Sequence, residues 1–446
     1  MKKITEETLA AGAGDTAPPV DYYDSNASKF LVLNTAGRWL ALSLADYKRH
    51  LRSRGLNVRP DAGELLSEAD EVILEVQNHR DVAFHGPICG RNAGPLIENG
   101  SRVLVTEDMK LPDSALGNWS TLRAVFEGLF LLSEDPHIGE TQLYTVYGWI
   151  KSTVEALRAG KQQQQQVLAM CGAAGCGKSL IQHLLTDMLA GRSAKAERYF
   201  SGKTPFNADL FAAEHLILED EHCSTRIIDR LRLGASFKQH CVGVTTASLH
   251  TKHKTAVNLP AWWRVSITLN DDPEAMMVLP PLDEHVADKI ILLRARHFKF
   301  PMPVTTNAER SAFREQLAQE IPAFLYFLLH EWEIPQHCAD PRRYNVATFH
   351  HPSLAEALES LSPEAELLNL LDRTFADELE SGQCIEMTAR KIEDHLRAHD
   401  WRRADKLFKH LPACGTYLGR LSRKRPDRVQ PKRTNKARLW IISPEE

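Results

Sequence analysis

Residues 167–180 read VLAMCGAAGCGKSL. Val167, Leu168, Ala169 and Met170 make an apolar run of the length expected for a buried strand. Gly172, Ala173, Ala174, Gly175, Cys176, Gly177, Lys178 and Ser179 then match G-x-x-x-x-G-K-[ST] in full, and Ile181, Leu184, Leu185 and Met188 follow at helical spacing. A strand, a glycine-rich turn and a helix are the setting this motif needs. The glycines let backbone N–H groups turn inward around a β- and γ-phosphate, and the helix N-terminus adds a favourable dipole. Lys178 places a point charge on the phosphates, and the Ser179 hydroxyl is a ligand for Mg²⁺. Cys176 reads as a tolerated small residue, although its oxidation would block the loop. The expected ligands are ATP and Mg²⁺.

Two later segments complete a catalytic set. His215-Leu-Ile-Leu-Glu219-Asp220-Glu221 is an apolar strand ending in carboxylates, and Asp220 stands forty-one residues after Ser179. Asp220 would hold Mg²⁺ through its water shell, and Glu221 would polarise the attacking water. Arg264-Val-Ser-Ile-Thr-Leu-Asn270 is a second strand, and its terminal amide can bond the γ-phosphate or orient the water.

Composition sets the wider frame. A chain of 446 residues predicts two to four domains, and 43% hydrophobic with 25% charged residues is ordinary for a soluble globular protein. No apolar run is long enough to span a membrane, and the N-terminus lacks the apolar core of a signal peptide. The eight cysteines form no C-x-x-C pair. They read as reduced thiols in a cytoplasmic protein, with no zinc site. The net charge of −4 hides an asymmetry: Thr388 to Arg438 holds sixteen Lys/Arg against five Asp/Glu. A basic end on an acidic body points to nucleic acid.

Together, the loop, the acidic strand and the Asn strand resemble the superfamily 3 helicase branch of AAA+ ATPases. The likeness is greatest to the primase–helicase proteins of phages, plasmids and other mobile elements, and it is specific over residues 165–300. It implies a β-hairpin projecting into a ring channel between Asp220 and Asn270. Lys252, His253 and Lys254 fall 16 to 18 residues before Asn270, where the hairpin tip is expected, with Lys238 as a further basic residue upstream. Lysines there make sequence-blind phosphate contacts with a single strand. The resemblance also implies a finger reaching the neighbouring subunit's γ-phosphate. Lys289, Arg294 and Arg296 are its candidates, with Arg342 and Arg343 further on, and the sequence does not choose among them. No carboxylate cluster for a primase stands out.

The expected fold class is multidomain α/β. Residues 1–20 read as a disordered leader and 21–115 as an α+β N-terminal domain. Within the latter, Lys29–Leu33 and Arg38–Leu42 form a hairpin, Leu44–Leu56 a helix begun by Ser43 or Asp46, and Glu71–Glu75 and Arg102–Thr106 strands. Residues 116–164 are a helical linker or oligomerisation segment, its polar tract Gln162–Gln166 read as a linker or fraying end. Residues 165–300 are the AAA+ P-loop core, a parallel sheet with flanking helices, and 301–362 a helical lid. Residues 363–446 read as a basic winged helix: helices Pro363–Asp377, Met387–Leu396 and Thr416–Lys424, then a two-stranded wing. Arg420, Arg423, Lys424, Arg425 and Arg428 are its expected phosphate contacts on duplex DNA.

The leading expectation is therefore an ATP-dependent DNA helicase or translocase. It would act as a ring homo-oligomer, a hexamer, with a single strand in the pore and duplex at the winged helix. The alternative is a DNA-binding AAA+ switch, loader or defence ATPase that separates no strands.

Overall fold

The computed structural model describes residues 20–219, 226–242, 246–252, 255–408, 413–434 and 437–445. Its centre is a sheet of five parallel strands: β1 (Val167–Cys171), β2 (Ser193–Lys195), β3 (His215–Glu219), β4 (Arg264–Leu269) and β5 (Ile290–Arg294). Their spatial order is β5-β1-β4-β3-β2. All five residues of β1 and all six of β4 are buried, which is why both read as continuous rather than alternating apolar runs. Cys171 at the end of β1 lies opposite Leu269 of β4 and Arg294 of β5. The loops that follow these strands therefore gather at one edge. The chain runs from β1 to the β2 edge, returns through β3 and β4, and crosses over to β5. That reversal makes the end of β1 a topological switch point, where open α/β sheets bind ligands.

Helices cover the sheet. Pro136–Arg158 is capped by Asp135, which accepts from the His137 N–H at 2.9 Å, and buries Leu143, Val146, Tyr147, Ile150, Val154 and Leu157. The tract after it is no fraying end. Gln165 and Gln166 are 2% and 1% exposed. The Gln166 carbonyl accepts from the Trp149 indole at 2.9 Å, and the Gln162 amide donates to the Ala261 carbonyl at 2.6 Å. Polar side chains here clip neighbouring backbones together, a use that composition does not reveal. Phe324 packs 5.0 Å from Trp119 and 5.3 Å from Tyr147 between ring centroids, so these aromatics are core.

At the N-terminal end, Lys29–Leu33 and Trp39–Leu42 pair as the expected antiparallel hairpin. Ser43 caps helix Leu44–Ser53 by accepting from the Asp46 N–H. The segment Glu71–Glu75 is helical, not a strand, and lies within Glu68–His79. Ser67 and Asp70 form a reciprocal capping box, and Ala69, Ile73 and Val76 fall on the buried face. The helix-start signal outweighs the strand preference of a short Val-Ile-Leu run.

The largest apolar cluster extends from Phe84 to Leu358 and encloses the central sheet. Phe30, Tyr47, Ile73 and Val76 anchor a smaller one, and residues from Leu367 to Ile442 form a third. This last unit contains helices Pro363–Thr374, Ala389–His399, Trp401–Leu407 and Ala413–Lys424. Its antiparallel sheet has the order Ile385–Thr388, Arg438–Ile442, Val429–Arg433. Met387 therefore lies within a strand rather than beginning a helix. Thr388 supplies the cap, its hydroxyl accepting from the Lys391 N–H at 3.3 Å. Among the described residues no helix is long and apolar enough to cross a membrane.

Candidate active site

The phosphate-loop motif sits at the switch point. Gly172 is required by contact: a Cβ there would lie 2.1 Å from the Ala295 carbonyl oxygen. Gly175 and Gly177 are required by conformation, with φ of +75° and +116°. Around Gly175 the space is open, whereas Gly177 caps helix Lys178–Met188. Between them the Cys176 N–H donates to the Ala173 carbonyl at 3.4 Å and tightens the turn, leaving Ala174 exposed. Cys176 is 1% exposed, and burial raises its thiol above the usual range. The protonated thiol is a poor nucleophile, which weighs against a redox role.

Lys178 is 8% exposed. Its ammonium donates to the carbonyls of Gly172 at 2.6 Å and Ala173 at 2.8 Å, and to Asn270 Oδ1 at 3.2 Å. Two side chains singled out separately in the sequence thus meet at one point. The Ser179 residue is exposed beside them in the first turn of the helix. A glycine-turned loop opening a helix, a buried ammonium and an accessible hydroxyl fit a polyphosphate with its Mg²⁺.

Strand β3 ends beside β4, with Glu219 opposite Thr268. Asp220 and Glu221 lie outside the described residues. Glu219, the remaining acid of the trio, is bound to Lys195 of β2 at 2.8 Å.

A buried polar network beneath the loop went unnoticed in the sequence. Gln182 donates to the Leu218 carbonyl at 3.3 Å and to Ser266 Oγ at 3.1 Å, and accepts from the Thr268 hydroxyl at 3.4 Å. It thereby ties the phosphate-loop helix to both β3 and β4. His215 sits between Thr186 Oγ1 at 2.7 Å and Ser266 Oγ at 2.8 Å. The signal was there: Gln182 and Thr186 are polar residues four apart on a helix face otherwise occupied by Ile181, Leu184 and Leu185.

Burial pushes the His215 imidazole down to about 3. As pH falls from about 6.5 towards 3, the unfolded chain takes up a proton that folded His215 refuses. Stability is complete above that window and falls within it, by up to about 1.4 kcal/mol per pH unit for this group. Urea unfolding at pH 7, 6, 5 and 4 should therefore show a shallower acid-side slope for His215→Gln, by about one proton. An unchanged slope would mean that other groups set the acid sensitivity.

The finger candidates separate by position. Lys289 is 7% exposed, is bound to Asp288, and lies at the entry of β5, the end of the strand away from the phosphate loop. Asp288 also holds Arg343 at 2.8 Å. A buried, neutralised ammonium does not reach a neighbouring subunit, so the expectation for Lys289 is corrected. Arg294 is at the loop end of β5. Its backbone is clamped by Gln142, whose Oε1 accepts from the Arg294 N–H at 2.7 Å, and its guanidinium donates to Ser353 Oγ at 2.9 Å. Arg296 faces Glu134 at 3.6 Å, and Arg342 is largely exposed beside Asp340.

The nucleic-acid candidates also divide. Ala247–Leu249 and Val257–Leu259 pair as a two-stranded antiparallel hairpin, with exposed Lys252 in the connection. His253 and Lys254 lie outside the described residues. Lys238 is exposed. In the C-terminal unit Arg420 pairs with Glu364 at 3.3 Å, Arg423 with Glu284 at 3.5 Å, Lys424 with Glu359 at 3.2 Å and Arg425 with Asp427 at 2.9 Å. Arg428 is 2% exposed, bound to Asp372 and donating to the Ser443 carbonyl at 2.9 Å. It is a structural cation, and its assignment as a phosphate contact is corrected.

No protein-family model matches the chain, and no curated protein matches it in sequence. Solved structures do. The A form apo structure of the NrS-1 C-terminal region is similar at 10% identity over 95% of this chain and 96% of that one, with a TM-score of 0.52. The apo structure of the same region, residues 305–718, is similar at 11% identity over 95% and 96%, with a TM-score of 0.51. A structure described as SCCmec type IV Cch, active helicase, aligns at 9% identity over 96% and 92%, with a TM-score of 0.45. At these identities the likeness to the NrS-1 region is one of fold, and it runs nearly end to end.

Proposed function

We propose that the chain is an ATP-driven DNA helicase or translocase of the superfamily 3 type. It works as a ring homo-oligomer, a hexamer, in the replication of a phage, plasmid or other mobile element. The observation that carries the reading is the contact of Lys178 with Asn270 at 3.2 Å, at the switch point of a parallel sheet.

The proposed chemistry follows from these residues. Backbone N–H groups of the loop and of the first turn of helix Lys178–Met188 bind the β- and γ-phosphates. Lys178 exchanges one of its protein oxygens for a phosphate oxygen, which leaves Asn270 Oδ1 beside the reacting group to orient water. Glu221 takes the proton from that water as it attacks. Ser179 and Asp220 would hold Mg²⁺, which neutralises charge developing on the phosphates. Arg294, Arg296 and Arg342 are the remaining finger candidates. Lys252, His253 and Lys254 would track a single strand through the pore, and the winged helix of residues 363–446 would hold duplex through Arg420, Arg423, Lys424 and Arg425.

The hairpin separates this reading from a DNA-binding switch or loader. Lys252→Ala with His253→Ala leaves Lys178, Ser179 and Asn270 untouched, so basal ATP hydrolysis should stay within about twofold of wild type. Stimulation of hydrolysis by single-stranded DNA should fall by about tenfold or more, because the strand loses its moving phosphate contacts. Full stimulation in the double variant would remove the pore assignment and favour the switch.

A further inference from the structure

The basic end of helix Ala413–Lys424 is tied to the body by two solvent-exposed ion pairs. Cys414, Leu418 and Leu421 fill the core of the C-terminal unit. Arg420, Arg423 and Lys424, at i, i+3 and i+4, share one face of the helix. Two of them cross to the body. Arg423 reaches Glu284, in the segment between β4 and β5, at 3.5 Å, and Lys424 reaches Glu359 of helix Pro352–Ser360 at 3.2 Å. That helix belongs to the main core through Leu354 and Leu358. Arg420 is held from within its own unit by Glu364 at 3.3 Å. These residues line a cleft of about 330 Å³, together with Asp283, His285 and His350.

We propose that Glu284 and Glu359 form an acidic seat that stands in for DNA phosphates and holds the basic helix closed, so that duplex DNA must displace them to bind. The proposal rests on the reading of residues 363–446 as the duplex-binding unit. Its chemistry is a like-for-like exchange, in which a guanidinium or ammonium leaves a carboxylate for a phosphate. Both crossing pairs are well exposed: the side chains of Arg423 and Glu284 are 64% and 61% accessible, those of Lys424 and Glu359 39% and 64%. Exposed pairs of this kind are weak and are screened by salt. The seat is therefore a releasable latch, strong enough to bias binding and too weak to forbid it.

The test measures duplex affinity of the full-length chain by fluorescence anisotropy across a salt series. Glu284→Gln with Glu359→Gln should bind duplex about two- to tenfold more tightly than wild type at low salt, with the gain shrinking as salt rises. Glu64→Gln with Glu71→Gln removes the same charge from exposed sites in the N-terminal unit and should change nothing. Arg423→Gln with Lys424→Gln should weaken binding and reduce the salt slope by about two. If this basic variant weakens binding while the Glu284/Glu359 variant binds as wild type does, the seat is overturned and the duplex-binding reading stands. Equal tightening by the Glu64/Glu71 variant would also overturn the seat, reducing it to net charge. If the basic variant keeps wild-type affinity and slope, the duplex-binding reading fails, and the seat fails with it.

Discussion

Lys178→Ala is expected to lower ATP hydrolysis by about 10²- to 10³-fold, the usual cost of deleting one preorganised charge-stabilising donor in a buried site. The ammonium is almost wholly buried, and it is the point where the loop carbonyls of Gly172 and Ala173 meet Asn270. Its loss removes the positive charge facing the γ-phosphate. It also releases Asn270 from the orientation in which its amide meets the reacting group. Alanine is the strongest helix former, so helix Lys178–Met188 should persist. Thermal unfolding should therefore stay close to wild type. Phosphate release measured beside a melting curve checks both halves. A variant that hydrolyses ATP at the wild-type rate would place the chemistry elsewhere.

Glu221→Gln is expected to slow turnover by about 10²- to 10⁴-fold while nucleotide binding survives, because a general base is lost and the phosphate cradle is not. The matched comparison is Glu219→Gln. Glu219 is already engaged by Lys195 at 2.8 Å across the sheet edge, so its neutralisation should change turnover by less than about threefold. Binding of a fluorescent ATP analogue separates affinity from turnover in both variants. A reversal of the two phenotypes would make Glu219 the base.

The central parallel sheet and its glycine-rich loop were the legible part of the chain because their signals are local. A buried strand, a loop of required glycines and an amphipathic helix are each written within a few residues, and the strands ending at Glu219 and Asn270 repeat the pattern. Where the reading failed, partners distant in sequence decided. Glu71–Glu75 has strand composition, yet Ser67 and Asp70 begin a helix before it. Gln162–Gln166 has linker composition, yet Ala261, Val346 and Thr348 supply hydrogen-bond partners that bury much of it. Lys289 and Arg428 are cations in plausible places, but a charge count does not reveal Asp288 or Asp372 beside them. The basic face of helix Ala413–Lys424 is the same lesson on a larger scale. Its basic residues were visible, whereas the carboxylates from the body that hold two of them were not.

In the proposed function, ATP hydrolysis at Lys178 and Asn270 is converted into movement along DNA. Strand displacement from a forked duplex, followed by fluorescence with the wild-type chain, ATP and Mg²⁺, tests it most directly. The labelled strand should be released with ATP, but not with a non-hydrolysable analogue and not by Lys178→Ala. Rapid ATP hydrolysis in the presence of the fork, with the labelled strand still annealed on forks of either polarity, would contradict it.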